Sequence, residues 1–286
     1  MAEKRYCLIT GASRGLGQVF AKCFWDLGWS LILVARGQQA LNDVVMTLQQ
    51  RADQRVHIIV ADLADPTKIE RIAKTAISLF PRLDALINNA GIQGPVGPLW
   101  ENDWDEWQDT IQVNLLAPAG LCRLIAPWMI ETGGGSIISL SGGGATGPRA
   151  NFSAYATAKA GLVRFSETLA VELKPHNVRV NCIAPGAMGT AMLAEVVTKG
   201  EAAAGNKEYE IAVRILREGV ASMQSVAELC YFLATNASNN ITGKLISAVW
   251  DNWEHWPEHI DELQNSDAYT LRRIVGRDRG LLWGDK

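Results

Sequence analysis

No apolar run in this sequence approaches the roughly 20 residues of a membrane-spanning helix. The start carries little that resembles a secretory signal either. Met1–Arg5 is charged, and the apolar run Tyr6–Ile9 ends at Thr10-Gly11, too short for a signal's apolar region. The expectation is a cytoplasmic protein with no membrane partner. Cysteine is sparse and scattered: Cys7, Cys23, Cys122, Cys182 and Cys230 form no C-x-x-C pair. An odd, dispersed set speaks against a disulfide framework or a zinc site and suits reduced, packed thiols. Excess charge is lacking too, since 27 Lys and Arg against 30 Asp and Glu leave a formal charge of -3. Nucleic acid binding would need a basic stripe, so no such partner is expected. Of the 4 histidines, only His255 and His259 stand at helical spacing. Pro257 between them, and no third ligand nearby, leave no metal site to expect.

What the sequence has is a full complement of apolar residues, 48% of 286, enough to build a core. At this length folding can remove roughly three quarters of the chain's surface from water. Short apolar runs recur at Tyr6–Thr10, Leu31–Ala35, Val56–Ala61, Ala85–Asn88, Ser136–Ser141, Arg179–Ile183 and Lys244–Val249. They are continuous rather than alternating, as strands covered on both faces should be. Helical patterns such as Gly15–Leu27, Leu41–Arg51 and Pro66–Leu79 lie between them. Strand and helix in alternation predict a doubly wound parallel α/β sheet in a single domain. Two segments break the rhythm. Ala187–Gly219 reads as a long helical excursion over one edge, with Gly200 and Gly205 inside it, and a strong helix follows near Ser225–Leu233. After Val249 no strand follows, and residues 250–286 hold Trp250, Trp253, Trp256 and Trp283, four of the 10 tryptophans. Trp100, Trp104 and Trp107 recur at helix-like spacing, which suits packing better than stacking on a ligand.

The first strand leads straight into Thr10-Gly11-Ala12-Ser13-Arg14-Gly15-Leu16-Gly17, and a helix follows. Glycines at a strand-to-helix turn let the backbone approach a pyrophosphate, and the helix supplies free N–H groups and a positive dipole end. A turn without a ligand is the plainer reading of glycines alone; their place at the first junction of an α/β chain favours a dinucleotide. An NAD site wants an acid about 20 residues past the glycines to hold the ribose hydroxyl. The second strand ends instead in Ala35-Arg36. Two guanidiniums, Arg36 and Arg14, with the hydroxyl of Ser13, suit a 2′-phosphate, so the expected cofactor is NADP(H).

Tyr155 and Lys159 stand four apart on a helical run, which places them on one face, one turn apart. An ammonium there stabilises phenolate and lowers a tyrosine pKa that begins near 10. Such a tyrosine can give a proton to a carbonyl oxygen or take it back. A Y-x-x-x-K spacing is common by chance and counts only in combination.

The combination is present. Thr10–Gly17, Asp62-Leu63, Asn88-Asn89-Ala90-Gly91, Asn114, the Ser141 region, Tyr155–Lys159, and Pro185-Gly186 with Thr190 follow one another over residues 5–249. In this order they resemble the short-chain dehydrogenase/reductase family, in its compact single-domain branch. The resemblance implies a Rossmann-type catalytic domain over 1–249, with residues 250–286 an extension packed on the body or on a neighbouring subunit. It implies Tyr155 as acid/base and Lys159 as the residue that binds the nicotinamide ribose and lowers the tyrosine pKa. Asn114 would hold a helix kink and a proton-relaying water. Asp62 and Leu63 would flank the adenine, Asn89, Ala90 and Gly91 would line the cofactor, and Pro185, Gly186 and Thr190 would hold its nicotinamide end. The family's serine commonly stands 13 residues before the tyrosine, and here that residue is Gly142. Ser141, one residue earlier, is the expected donor, with Ser153 or a backbone N–H beside Gly143 as alternatives.

The expected activity is interconversion of a small-molecule carbonyl and its alcohol by an NADP(H)-dependent oxidoreductase, in a homodimer or homotetramer. A dinucleotide-binding protein without catalysis, or a family variant acting as epimerase or dehydratase, is the alternative. No cluster of arginines announces a phosphate or carboxylate substrate. Substrate-pocket walls are expected from Ala187–Gly219 and from the extension.

Overall fold

The computed structural model describes residues 4–218, 222–238, 240–281 and 283. Seven strands form one sheet: β1 (Arg5–Thr10), β2 (Trp29–Ala35), β3 (Val56–Val60), β4 (Ala85–Asn88), β5 (Gly135–Leu140), β6 (Val178–Ala184) and β7 (Leu245–Ser247). Their order is β3-β2-β1-β4-β5-β6-β7, every neighbour parallel. All seven apolar runs are therefore strands of a doubly wound sheet, with ends that differ by two residues at most.

The runs do not alternate because both faces are covered. Cys7, Ile9, Leu31, Leu33 and Ile138 belong to one core, while Leu8, Ile32, Val34 and Ile137 belong to the other. The first core is closed by α1 (Gly15–Asp26), α2 (Gln38–Thr47) and α10 (Met223–Ala234), the second by α3 (Pro66–Leu79), α5 (Ala117–Glu131) and α6 (Ser153–Leu173). Helix α2 starts and stops earlier than the pattern predicts. Leu48 turns extended, and a tertiary bond explains why: the Trp25 indole donates to the Gln49 carbonyl at 2.7 Å. That bond draws the chain off the helix axis toward α1.

Helix α4 (Trp104–Ile111), a π-turn at Gln112–Leu116 and α5 make one helical run, Trp104–Glu131, 28 residues long. By length and composition alone this run can cross a membrane. Its Leu121, Ile125 and Met129 are instead fully buried in the second core. The excursion after β6 divides at its two glycines into α7 (Ala191–Lys199), α8 (Glu201–Ala204) and α9 (Asn206–Glu218). Gly200 and Gly205 sit at φ +86° and +84° with extended ψ, a region open essentially to glycine alone. Gly219, the last residue of that expected excursion, lies outside the described residues, as do the ends of the chain.

The extension folds back on its own body. A 3₁₀ turn at Trp253–His259 and α11 (Ile260–Gln264) bury Trp256 and Leu263 in the first core. Trp253 packs on Phe232, and the Trp256 ring lies 4.2 Å from that of Tyr269. Strand β7 is the sheet's edge, and there Leu245 N–H donates to the Tyr269 carbonyl at 2.9 Å. Lys244 Nζ donates to the carbonyls of Ser266 and Ala268, and Glu167 on α6 accepts from Leu271 N–H. His255 and His259 each face only a neighbouring glutamate, and no cluster of three or more metal-ligating side chains occurs among the described residues.

Candidate active site

In an open parallel sheet the crevice lies beyond the carboxyl ends of the strands, where chain order reverses. Here the reversal falls between β1 and β4. The loops after β1, β4, β5 and β6 carry the glycine turn, Asn89–Gly91, Ser141–Gly144 and Pro185–Thr190, so four of the predicted groups meet at one sheet end.

The glycine turn is shaped by close approach. A Cβ on Gly17 would lie 2.1 Å from the Gly11 carbonyl oxygen, and one on Gly11 would lie 2.8 Å from Ala90 Cα. Gly15, at φ +55°, faces open space. Asn89 locks the turn from β4, its Nδ2 donating to the Thr10 and Gly11 carbonyls at 2.9 and 3.1 Å. The Thr10 hydroxyl accepts from the backbone N–H of both Asn89 and Ala90. Asn89 and Ala90 thus have a structural role as well as their expected one. Arg14 caps α1 without a side-chain hydrogen bond, so the first N–H groups of that helix face the open side of the turn. A tight turn with a bare helix N-terminus fits a dinucleotide pyrophosphate.

The second strand ends where the adenosine end of such a ligand would lie. Arg36 Nη1 stands 4.0 Å from Asp62 Oδ2, both side chains being about half exposed or more, at 66% and 47%. Exposed pairs this loose contribute little, so the guanidinium is available to a better partner. Asp62 also accepts from Ala64 N–H, and Leu63 is buried with its carbonyl bonded by Gln112.

Asn114 lies at the π-turn, the predicted kink. Wholly buried, it clamps the chain after β4: Oδ1 accepts from Ile92 N–H at 2.9 Å and Nδ2 donates to the Ile92 carbonyl at 2.8 Å. A Cβ on Gly91 would lie 3.1 Å from Asn114 Oδ1 and 3.6 Å from Lys159 Nζ, so the three residues share one wall.

Tyr155 and Lys159 occupy one face of α6, Nζ lying 5.7 Å from the phenol ring centre. Lys159 Nζ donates to the Leu140 carbonyl at 2.7 Å. Burial lowers its pKa from 10.5 to about 8, with the Cys182 thiol pulling weakly the other way. Burial raises the Tyr155 pKa, and the nearby Arg149 charge opposes that rise. Tyr155 belongs to a small apolar cluster with Phe152, Val196, Ala204 and Ala212, so α7–α9 cover it.

The serine region differs from simple expectation in its details. Gly142 faces the phenol directly: a Cβ there would lie 2.3 Å from Tyr155 Oη. Ser141 is buried, and its Oγ has no hydrogen-bond partner among the described residues. Ser153 starts α6 and its hydroxyl accepts from the Trp107 indole at 3.1 Å. Pro185 and Gly186 follow β6, and Thr190 caps α7 by accepting from Leu193 N–H. The residues missed by sequence reasoning are Arg149, Phe152 and Glu208, which meet beside Tyr155. An arginine six residues before the tyrosine, in a glycine-rich loop, was their only local signal.

Comparison with known proteins identifies the family. The family model described as short chain dehydrogenase matches residues 5–201. Dehydrogenase/reductase SDR family member 4 of Pongo abelii is 31% identical over 242 residues, covering 85% of each chain. Sulfoacetaldehyde reductase 2 of Chromohalobacter salexigens is 33% identical over 229 residues, covering 80% of this chain and 87% of its own. Among solved structures, YwfH, an NADPH-dependent reductase involved in bacilysin biosynthesis, superposes with a TM-score of 0.77 at 26% identity, covering 88% of this chain and 98% of its own. With the parallel sheet, the glycine turn and the tyrosine–lysine helix in place, the chain belongs to the short-chain dehydrogenase/reductase family.

Proposed function

We propose that this chain is an NADP(H)-dependent oxidoreductase that interconverts a small-molecule carbonyl and its alcohol. The observation that carries the reading is the enclosed wall of Tyr155, Lys159 and Asn114 beside an open glycine turn. The nicotinamide, when bound, gives or takes the hydride; the protein's own groups hold the substrate and move the proton.

Tyr155 donates its phenolic proton to the substrate oxygen in reduction and recovers it in oxidation. Its burial favours the neutral phenol, which is the form that donates. Lys159 is cationic at neutral pH and stabilises the phenolate left behind. Of its three N–H donors one is held by the Leu140 carbonyl, leaving two for the ribose hydroxyls of the cofactor. Asn114 fixes the wall by its two hydrogen bonds to Ile92 at the π-turn, and in this reading a water beside it would relay protons to Lys159. Gly11, Ser13, Arg14, Gly15, Leu16 and Gly17 hold the pyrophosphate end, with Asn89–Gly91 and Pro185–Thr190 along the rest. Arg36 and Arg14 support NADP(H) over NAD(H), since a guanidinium fork matches a phosphate that no acid at this strand end repels.

Ser141 polarises the substrate oxygen in this reading. A buried hydroxyl without a partner costs about 1–3 kcal/mol, which a substrate oxygen accepting from it would relieve. Gly142 at the phenol also suits a second reading, a dinucleotide-binding protein without turnover. The experiment that decides is NADPH consumption over a panel of ketones and aldehydes, with Tyr155→Phe as the control. Turnover in the wild type, with binding of NADPH kept and turnover lost in the variant, is expected. Full turnover by Tyr155→Phe refutes the proton step, and NADPH binding with no turnover of any carbonyl favours the second reading.

A further inference from the structure

The loop between β5 and α6 holds one cation that the mechanism above does not use. Arg149 is largely enclosed, its side chain 15% exposed. Its guanidinium lies over the Phe152 ring, Cζ 3.7 Å from the ring centre, and 5.9 Å from the ring centre of Tyr155. Nε and Nη2 both donate to one oxygen, Glu208 Oε2 on α9, at 3.0 and 2.9 Å. A guanidinium presents five donors in a rigid fork with two usable edges. Glu208 takes one edge, and Nη1 makes no hydrogen bond among the described residues.

That free nitrogen lies beside the glycine loop that meets the phenol. Nη1 is the atom nearest to where a Gly143 side chain would stand, 3.8 Å from its Cβ position. Gly143 lies between Gly142, which meets the Tyr155 hydroxyl, and Gly144, whose Cβ would clash with Ala156 at 2.7 Å. The strip from the phenol to the guanidinium therefore carries no side chain. A ligand reaching from the phenol to Nη1 would run along this strip. The Phe152 ring beneath holds the fork flat, which fixes the direction of its donors.

We infer that Arg149 determines substrate choice, its free edge taking a carboxylate or similar anion borne close to the carbonyl that Tyr155 serves. This rests on the oxidoreductase reading and narrows its substrate class to oxo acids. An ionised acceptor makes the stronger, charge-assisted bond to the free edge, which favours an anion over a neutral group. One carboxylate oxygen on one edge leaves the second edge of a mostly buried cation unmatched, and one guanidinium accommodates two carboxylates edge by edge. Glu208, 29% exposed, keeps contact with water, which moderates repulsion between the two acids.

The test compares acids with their own esters, which differ in charge and little in shape. Acetoacetate and pyruvate, and the methyl ester of each, are titrated calorimetrically into the protein with and without NADP⁺. Expected is at least about ten-fold tighter binding of acid than ester, with that ratio falling toward unity in Arg149→Gln. Arg149→Lys keeps the charge without the fork and should fall between. NADPH binding and melting temperature of both variants confirm that they fold. Equal affinity of acid and ester, binding of neither, or an acid preference that survives in Arg149→Gln overturns the inference. NADPH turnover is measured apart from binding. A preference for acids that depends on Arg149, without turnover of any carbonyl, sinks the oxidoreductase reading while leaving the anion seat in place.

Discussion

Lys159 carries a cost that its removal should reveal. The residue is 3% exposed, with a carbonyl oxygen for a partner and no acid paired with it among the described residues. Burial lowers its pKa from 10.5 to about 8, a difference of two to three units. At about 1.4 kcal/mol per unit, keeping this ammonium charged inside the ligand-free fold costs roughly 3 kcal/mol at neutral pH. Lys159→Met keeps the length of the side chain and discards the charge. It also discards the bond to the Leu140 carbonyl, worth about 1 kcal/mol net, so the variant should be about 2 kcal/mol more stable. Urea unfolding of the ligand-free protein at pH 7 measures this directly. The pH dependence supplies the sign. Between pH 8 and 10.5 the unfolded lysine still holds a proton that the folded one has released. Wild-type stability therefore rises relative to the variant through that window, and the gap should close by its upper end. A variant less stable than wild type at pH 7, or a gap that ignores pH, refutes the reasoning. Turnover should be lost in the variant, which would make Lys159 a residue kept for chemistry at the expense of stability.

Three further outcomes follow from the geometry. Gly142→Ser, which restores a serine at the family's usual spacing, should lower turnover by at least about ten-fold, because its Cβ would lie 2.3 Å from Tyr155 Oη and must displace the phenol. A gain in kcat would show that the loop yields freely. Arg36→Asp should raise KM for NADPH by roughly a hundred-fold while changing that for NADH little, and equal effects on both cofactors would remove the 2′-phosphate assignment. A chain ending at Val249 should melt well below the full chain and self-associate. It loses the burial of Trp256 and Leu263, about 2 kcal/mol each, and bares the Leu245 edge of the sheet. An unchanged melting temperature with a monodisperse species would show that the extension contributes nothing to the fold.

All seven strands were legible because each is a short, mostly apolar run, even where Arg179 and Asn181 interrupt β6, and a run covered on both faces needs no partner to be recognised. The same holds for the tyrosine–lysine pair, whose spacing places both on one helix face wherever the helix goes. Helix ends were less legible. The stop of α2 depends on the Trp25 indole reaching Gln49, a contact between elements that no local pattern contains. The division of the excursion at Gly200 and Gly205 was visible as glycines but not as hinges, since only the backbone angles there show that a side chain is excluded.

The sequence by itself determined the architecture, the order of the motifs and the chemistry that the site can hold, because periodicity and spacing act locally along the chain. Tertiary structure alone decided what surrounds the phenol. Gly142 lies against Oη and Arg149 beside the ring, and Glu208, distant in the chain, comes from α9 onto the guanidinium. It also decided where the extension lies, over the edge of β7 and against α6, since Tyr269 and Leu271 meet strand and helix only after the sheet has formed. Electrostatics and packing at a site depend on distances through space, and those exist only once the chain is folded.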